Sequence, residues 1–153
     1  IGHSVTLALA TFDLVRVSGR LVEPLIALTI VVTAWYAISD QLAPVRTAEA
    51  ARVAWWRRYG IAGGFGLVHG LGFAGGLRSL LGAEASLTVP LFGFNLGLEG
   101  GQLLIVSIIF ALGLAVHRWL GVVRRDWVLI LAGAAGGIGL TMLMDRLSRA
   151  ASG

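Results

Sequence analysis

The chain of 153 residues contains no cysteine and no lysine, and only 13% of its residues are charged. Without cysteine, it cannot form disulfide bonds, thiolate metal sites or a cysteine nucleophile. Any metal must therefore be bound through nitrogen or oxygen. Its formal net charge of +4 comes from arginines that lie near the ends of apolar segments. We interpret these arginines as anchors at a membrane interface rather than as nucleic-acid contacts, so we expect no nucleic-acid partner.

Apolar residues make up most of the chain: 57% are hydrophobic, and the mean hydropathy is +0.86. A soluble domain is typically about a quarter charged. The apolar residues here form runs long enough to cross a bilayer at about 1.5 Å per residue. We therefore predict an all-α fold, a polytopic transmembrane helical bundle that forms a single domain over residues 1–153 within the lipid bilayer.

The runs predict about four full spans after a shorter N-terminal helix. The short helix falls within residues 3–17, and the spans cover 21–42, 59–81, 89–120 and 127–147. The third run exceeds one bilayer crossing, so we expect it to tilt or break. Residues 44–58 are predicted to form a polar connection. Because the chain starts at Ile1 rather than methionine, we also expect it to be truncated at the N-terminus.

The third predicted span carries polar side chains among glycines. At about 100° per residue, Asn95, Glu99 and Gln102 fall on one narrow face. A charge at mid-bilayer costs at least about 2.5 to 3.5 kcal/mol, which makes this face a functional candidate. The alternative is a carboxylate that is hydrogen-bonded to a neighbouring helix for structure alone. The roughly opposite face, formed by Gly93, Gly97 and Gly101, predicts a close helix crossing.

Three further residues complete the candidate set. His69 lies in the middle of the glycine-rich second span, where an imidazole can bind a metal or carry a proton, or simply donate to a backbone carbonyl. His3 and Glu23 begin apolar segments, where ligation and ordinary helix-end roles are equally supported. The predicted metal-binding residues are therefore His3, Glu23, His69, Asn95, Glu99 and Gln102.

Enzyme signatures are missing from the sequence. It contains no nucleophile elbow, no HExxH pair, no phosphate-cradling loop and no dinucleotide fingerprint. Ser4 lies too close to His3 along the chain to define a nucleophile and base pair. We predict that the protein is not an enzyme and has no tightly bound cofactor.

Five sequence blocks, in order, resemble those of the HupE/UreJ family. They are Gly2-His3-Ser4-Val5-Thr6-Leu7, Leu21-Val22-Glu23, residues 65–74, residues 94–102 and Asp145-Arg146-Leu147. The resemblance covers nearly the whole chain. It implies a polytopic protein of the bacterial inner membrane, from a family often encoded with nickel-enzyme or metal-handling systems and including proposed nickel or cobalt permeases. The family pattern also has an upstream helix with a glycine, aspartate and histidine motif, which nothing in this sequence matches.

Two functional hypotheses follow. In the first, the protein is a permease for a divalent metal ion, with nickel or cobalt expected. His69, Asn95, Glu99 and Gln102 would line its mid-membrane site, while His3 and Glu23 contribute ligands or guard access. Imidazole with carboxylate and amide oxygens suits such borderline ions. In the second, the protein is a non-transporting subunit whose glycine faces dock it to other membrane protein subunits.

Overall fold

The computed structural model describes residues 2–43, 47–81 and 88–152, and these are entirely helical or irregular. The five helices are α1 (Gly2–Thr11), α2 (Gly19–Leu42), α3 (Ala48–Leu81), α4 (Thr88–Leu120) and α5 (Arg124–Ser152). Three of them, α2, α4 and α5, are long and apolar enough to cross a membrane. The prediction of an all-α membrane bundle is confirmed.

Helix α3 is the longest element, with 34 residues. It is not among the helices of the described chain that combine sufficient length with sufficient hydropathy for a span. The side chains of residues 75–81, at its C-terminal end, lie outside the described chain. Its assignment as the second span remains a prediction.

Two parts of the chain differ from the sequence prediction. Most of the polar connection at 44–58 is helical, because α3 begins at Ala48, while residues 44–46 lie outside the described chain. Thr47 precedes this start, and its hydroxyl accepts a hydrogen bond from the Ala50 amide at 3.3 Å, a typical N-cap contact. Of the tilt or break expected in the third span, the break is absent, since α4 is continuous, while the tilt stays a prediction. Pro90 lies in its first turn, where a missing amide proton disrupts no helical hydrogen bond.

Helix α1 is shorter than the apolar segment that predicts it. It ends at Thr11 because Asp13 adopts a left-handed backbone with φ 64°, which aspartate tolerates better than most residues. The amides of Asp13 and Leu14 then bond back to the carbonyls of Ala10 and Leu9 at 3.2 and 2.9 Å. This is the hydrogen-bond pattern of a Schellman helix end. The Asp13 carboxylate also accepts a hydrogen bond from Arg16. This hydrogen bond and the negative charge of Asp13 raise the pKa of Arg16 above its ordinary value.

The helices pack chiefly as two pairs, α1 with α3 and α2 with α5, and α2 joins them through its contacts with α3. A small core of Leu7, Ala10, Ala74 and Leu91 lies where α1, α3 and the start of α4 meet. Helix α4 is peripheral, and no residue of its membrane-length apolar stretch is buried. Near its other end, Gly113 faces the Trp127 ring of α5. The middle of α4 is therefore held alongside the bundle by contacts near its ends.

Candidate functional site

A cavity of about 630 Å³ lies among the helices, and all five contribute to its wall. Most of the lining is apolar or small. The side chains that carry polar atoms are His3 from α1, Thr29 and Thr33 from α2, His69 from α3 and Gln102 from α4. The structure therefore brings three of the six predicted site residues, His3, His69 and Gln102, to one cavity.

His69 is held by a hydrogen bond within its own helix. Its Nδ1 lies 2.9 Å from the carbonyl oxygen of Phe65, one turn earlier. Because a carbonyl oxygen only accepts, Nδ1 carries the proton and Nε2 keeps its lone pair in the neutral ring. Metal-binding histidines commonly show this arrangement, in which one ring nitrogen is fixed by a carbonyl and the other is left for the ion.

His3 reaches the cavity because α1 lies directly against the glycines of α3. A Cβ at Gly66 would lie 3.4 Å from the His3 amide nitrogen, and one at Gly70 would overlap the His3 carbonyl oxygen. Thr6 strengthens the crossing by donating from Oγ1 to the Leu67 carbonyl at 2.7 Å. The two histidines thus come from neighbouring turns of crossed helices.

The ring of His3 has an unsatisfied nitrogen. Its Nε2 is buried and has no hydrogen-bond partner in the described chain. A buried polar atom without a partner costs about 1 to 3 kcal/mol, so such atoms call for a specific explanation. Because this atom is closed to solvent, the ring of His3 would have to turn before Nε2 could bind a ligand in the cavity.

Two threonines of the cavity were not predicted from the sequence. Thr29 donates from Oγ1 to the Ile26 carbonyl, and Thr33 donates to the Thr29 carbonyl, each at 2.7 Å. Since both hydroxyl protons are used within α2, the hydroxyl oxygens can only accept from, or coordinate, a cavity ligand. Their four-residue spacing puts them on one helix face, but this spacing alone does not distinguish them from other threonines of apolar helices.

The packing of α4 gives the residues of its predicted polar face different surroundings. The inward edge of the helix is centred on Leu91, Phe94 and Leu98, and Phe94 meets Phe73 edge to face with ring centroids 6.1 Å apart. Glu99 follows Leu98 and is rotated about 100° further around the helix axis. It therefore points toward the exposed side of α4, which we call the open side. It is exposed and forms no hydrogen bond or ion pair with the described residues.

Asn95 is partly buried beside this edge but does not line the cavity. Its Nδ2 donates to the Leu91 carbonyl at 3.2 Å, which leaves Oδ1 buried without a partner among the described residues. This oxygen is the second unsatisfied atom among the predicted site residues.

Glu23 lies away from the cavity, at a separate site. It pairs with Arg146 of α5, with Oε2 and Nη1 2.9 Å apart. Among the described residues, no group of three or more His, Asp or Glu side chains is placed to hold a metal ion. The ligands that the cavity offers are instead two imidazoles with neutral amide and hydroxyl oxygens.

A helical bundle with three membrane-length helices, packed around a largely apolar cavity, is an integral membrane protein. The chain belongs to the HupE/UreJ family: a family model described as HupE / UreJ protein matches residues 1–146. Membership confirms the resemblance seen in the sequence and indicates a membrane protein of metal handling. No curated protein and no solved structure matches the chain.

Proposed function

We propose that the protein is a permease for a divalent transition metal ion, with nickel or cobalt as its expected substrate, in a bacterial inner membrane. The observation that carries this proposal is that His3 and His69, from different helices, line one cavity. Two imidazoles from different helices supply a pair of nitrogen ligands. The proposed activity is transport, and it involves no catalytic step.

The donor set fits such a substrate. Imidazole nitrogens with amide and hydroxyl oxygens suit nickel, cobalt and zinc, and the chain has no sulfur ligand from cysteine to favour copper(I). A site without a carboxylate in its wall holds a divalent ion less tightly than a charged site, as release requires. Protons compete with metal for imidazole, so we expect binding to weaken as the pH falls.

The remaining candidates differ in their positions relative to the cavity. Gln102 lines the cavity and supplies an amide oxygen, while Asn95 lies beside the inward edge of α4. Glu99 and Glu23 lie outside the cavity, where a carboxylate can attract a cation or guard its access. We expect Glu99→Gln to reduce uptake less than His69→Ala does, while the protein still assembles in the membrane.

Uptake of radioactive nickel by cells that produce the protein tests the proposal. We expect His69→Ala to reduce uptake by at least about tenfold, since a metal ligand is lost. His117 provides a matched control because its Nδ1 also contacts a backbone carbonyl, that of Val122, at 2.9 Å, but lies outside the cavity. His117→Ala should retain uptake. Equal uptake by wild type and correctly inserted His69→Ala would refute the proposal.

A second function is favoured by the open side of α4. A Cβ added at Gly93, Gly97, Gly100 or Gly101 would contact nothing within 4 Å, and Glu99 is exposed on another face of the same helix. A non-transporting subunit would use this surface to dock to other membrane protein subunits. That function requires stoichiometric co-purification with a partner and no metal binding by the purified chain.

A further inference from the structure

A second cavity, of about 390 Å³, lies where the C-terminal part of α2 meets α3 and the start of α5. Three arginines line it, Arg57 and Arg58 from α3 and Arg124 from α5, against a single acidic residue, Asp40. Arg58 forms an ion pair with Asp40, and Arg57 lies over the Tyr36 ring at 5.0 Å from its centroid. Arg124 has no ion pair with the described residues. The excess positive charge makes this a site for an anion rather than a metal cation.

An apolar groove of about 450 Å³ adjoins this cavity between α4 and α5, and the two share Arg124 and Val128. Apart from Arg124 and His117 at one end, its wall is almost entirely apolar. From His117 to Val106 the groove follows α4 for about 16 Å at 1.5 Å per residue. That depth is about half of the 30 Å hydrocarbon core, so the groove extends through one leaflet.

We propose that these two adjoining cavities form a binding site for an anionic phospholipid. The phosphate would lie at Arg124 with Arg57 and Arg58 nearby, and one acyl chain would fill the groove between α4 and α5. Arginine forms paired hydrogen bonds with phosphate oxygens, and basic pockets between membrane helices bind anionic head groups. A free anion would use the arginines but not the groove. The proposal does not depend on metal transport.

Binding of defined lipids to the purified chain tests this site. The detergent-solubilised protein is titrated with dioleoyl phosphatidylglycerol or dioleoyl phosphatidylcholine, and bound lipid is counted by native mass spectrometry. We expect one phosphatidylglycerol to bind more tightly than phosphatidylcholine. Arg124→Gln should weaken that binding by about fivefold, the contribution of one arginine near a membrane surface.

Arg125→Gln is the matched control, because this neighbouring arginine is exposed and lines neither cavity. It should bind phosphatidylglycerol as the wild type does. Equal losses in both variants would overturn the proposal, since they would indicate general surface charge. Equal binding of the two lipids, or a second copy of the chain bound in place of lipid, would also overturn it.

Two further experiments distinguish the contribution of the lipid head group from that of the acyl chain. Ile109→Trp fills the groove with a larger side chain and should weaken phosphatidylglycerol binding while Arg124 is intact. Unchanged binding would place the lipid outside the groove and contradict the proposal. Inorganic phosphate should compete weakly, because it lacks an acyl chain. Displacement of the lipid by equimolar phosphate would identify a free-anion site instead.

Discussion

The glycines of the paired helices and those of α4 share a spacing but differ in their surroundings. A Cβ at Gly70 of α3 would overlap the backbone of α1, and one at Gly139 of α5 would lie 2.9 Å from Ile30 Cγ2 of α2. At Gly93 and Gly97 of α4, a Cβ would meet nothing within 4 Å. Small-residue spacing therefore marks a face that another helix can approach, whereas only the packing shows whether one does.

The same contrast separates the polar residues. His3 and His69 lie in a cavity where two helices are in close contact, and their glycines make that contact possible. Glu99 lies on the open side of α4. A carboxylate in lipid is energetically unfavourable. The binding of a partner protein would therefore have its largest effect on the open side of α4, where Glu99 lies.

The largest difference in stability is expected between Gly70→Ala and Gly97→Ala. The methyl group at position 70 collides with a backbone carbonyl that cannot move without shifting α1, so we expect a loss of about 1 to 3 kcal/mol. The same change at position 97 should be neutral or stabilising by up to about 1 kcal/mol, because alanine is the better helix former. Unfolding in detergent, followed by circular dichroism, measures both. Equal effects would show that α1 does not pack on α3 in this way.

A smaller effect is expected for Gly139→Ala in the α2–α5 pair. Its new methyl group would meet the Ile30 side chain, which can adjust more easily than a backbone, so we expect a loss of about 1 kcal/mol. Gly133→Ala is the control on the same helix, since nothing lies within 4 Å of its Cβ position. The same unfolding assay distinguishes them. A greater loss for Gly133→Ala would contradict the observed face of α5.

The smallest effect is expected for the ion pair that joins the start of α2 to the end of α5. The Glu23 and Arg146 side chains are 53% and 35% exposed, so solvent screens their attraction. A double-mutant cycle with Glu23→Gln and Arg146→Gln should give a coupling of about 0 to 1 kcal/mol that decreases with added salt. A coupling that is larger and independent of salt would indicate that the pair is shielded from water.

Much of the fold could be predicted from hydrophobic run length. The predicted end of the first span at Leu42 coincides with the end of α2, and the predicted end of the third span at Leu120 coincides with the end of α4. Run length did not predict the end of α1, because Asp13 terminates that helix within an apolar segment by a backbone conformation. It also did not predict the start of α3, where polar residues are helical after the Thr47 cap.

The candidate site could be predicted only in part. Periodicity placed Glu99 beside Asn95 and Gln102, but the orientation of α4 depends on how Leu91 and Phe94 pack, which a single helix does not reveal. Intramembrane polarity selected His69, which lines the cavity, and its role as a metal ligand stays a prediction. It gave no reason to choose Thr29 or Thr33, because threonine is common in apolar helices and its hydroxyl can bond to its own backbone.

Calorimetric titration of the purified full chain with nickel, cobalt and zinc tests the central claim most directly. If His3 and His69 hold the ion, the wild type and His117→Ala will bind at least one of these metals, and His3→Ala and His69→Ala will each lose that binding while remaining folded. A Glu99→Gln variant measured beside them shows whether the open side of α4 contributes. Binding that survives in both cavity variants, or no binding to the wild type, would contradict the assignment of this cavity as the metal site.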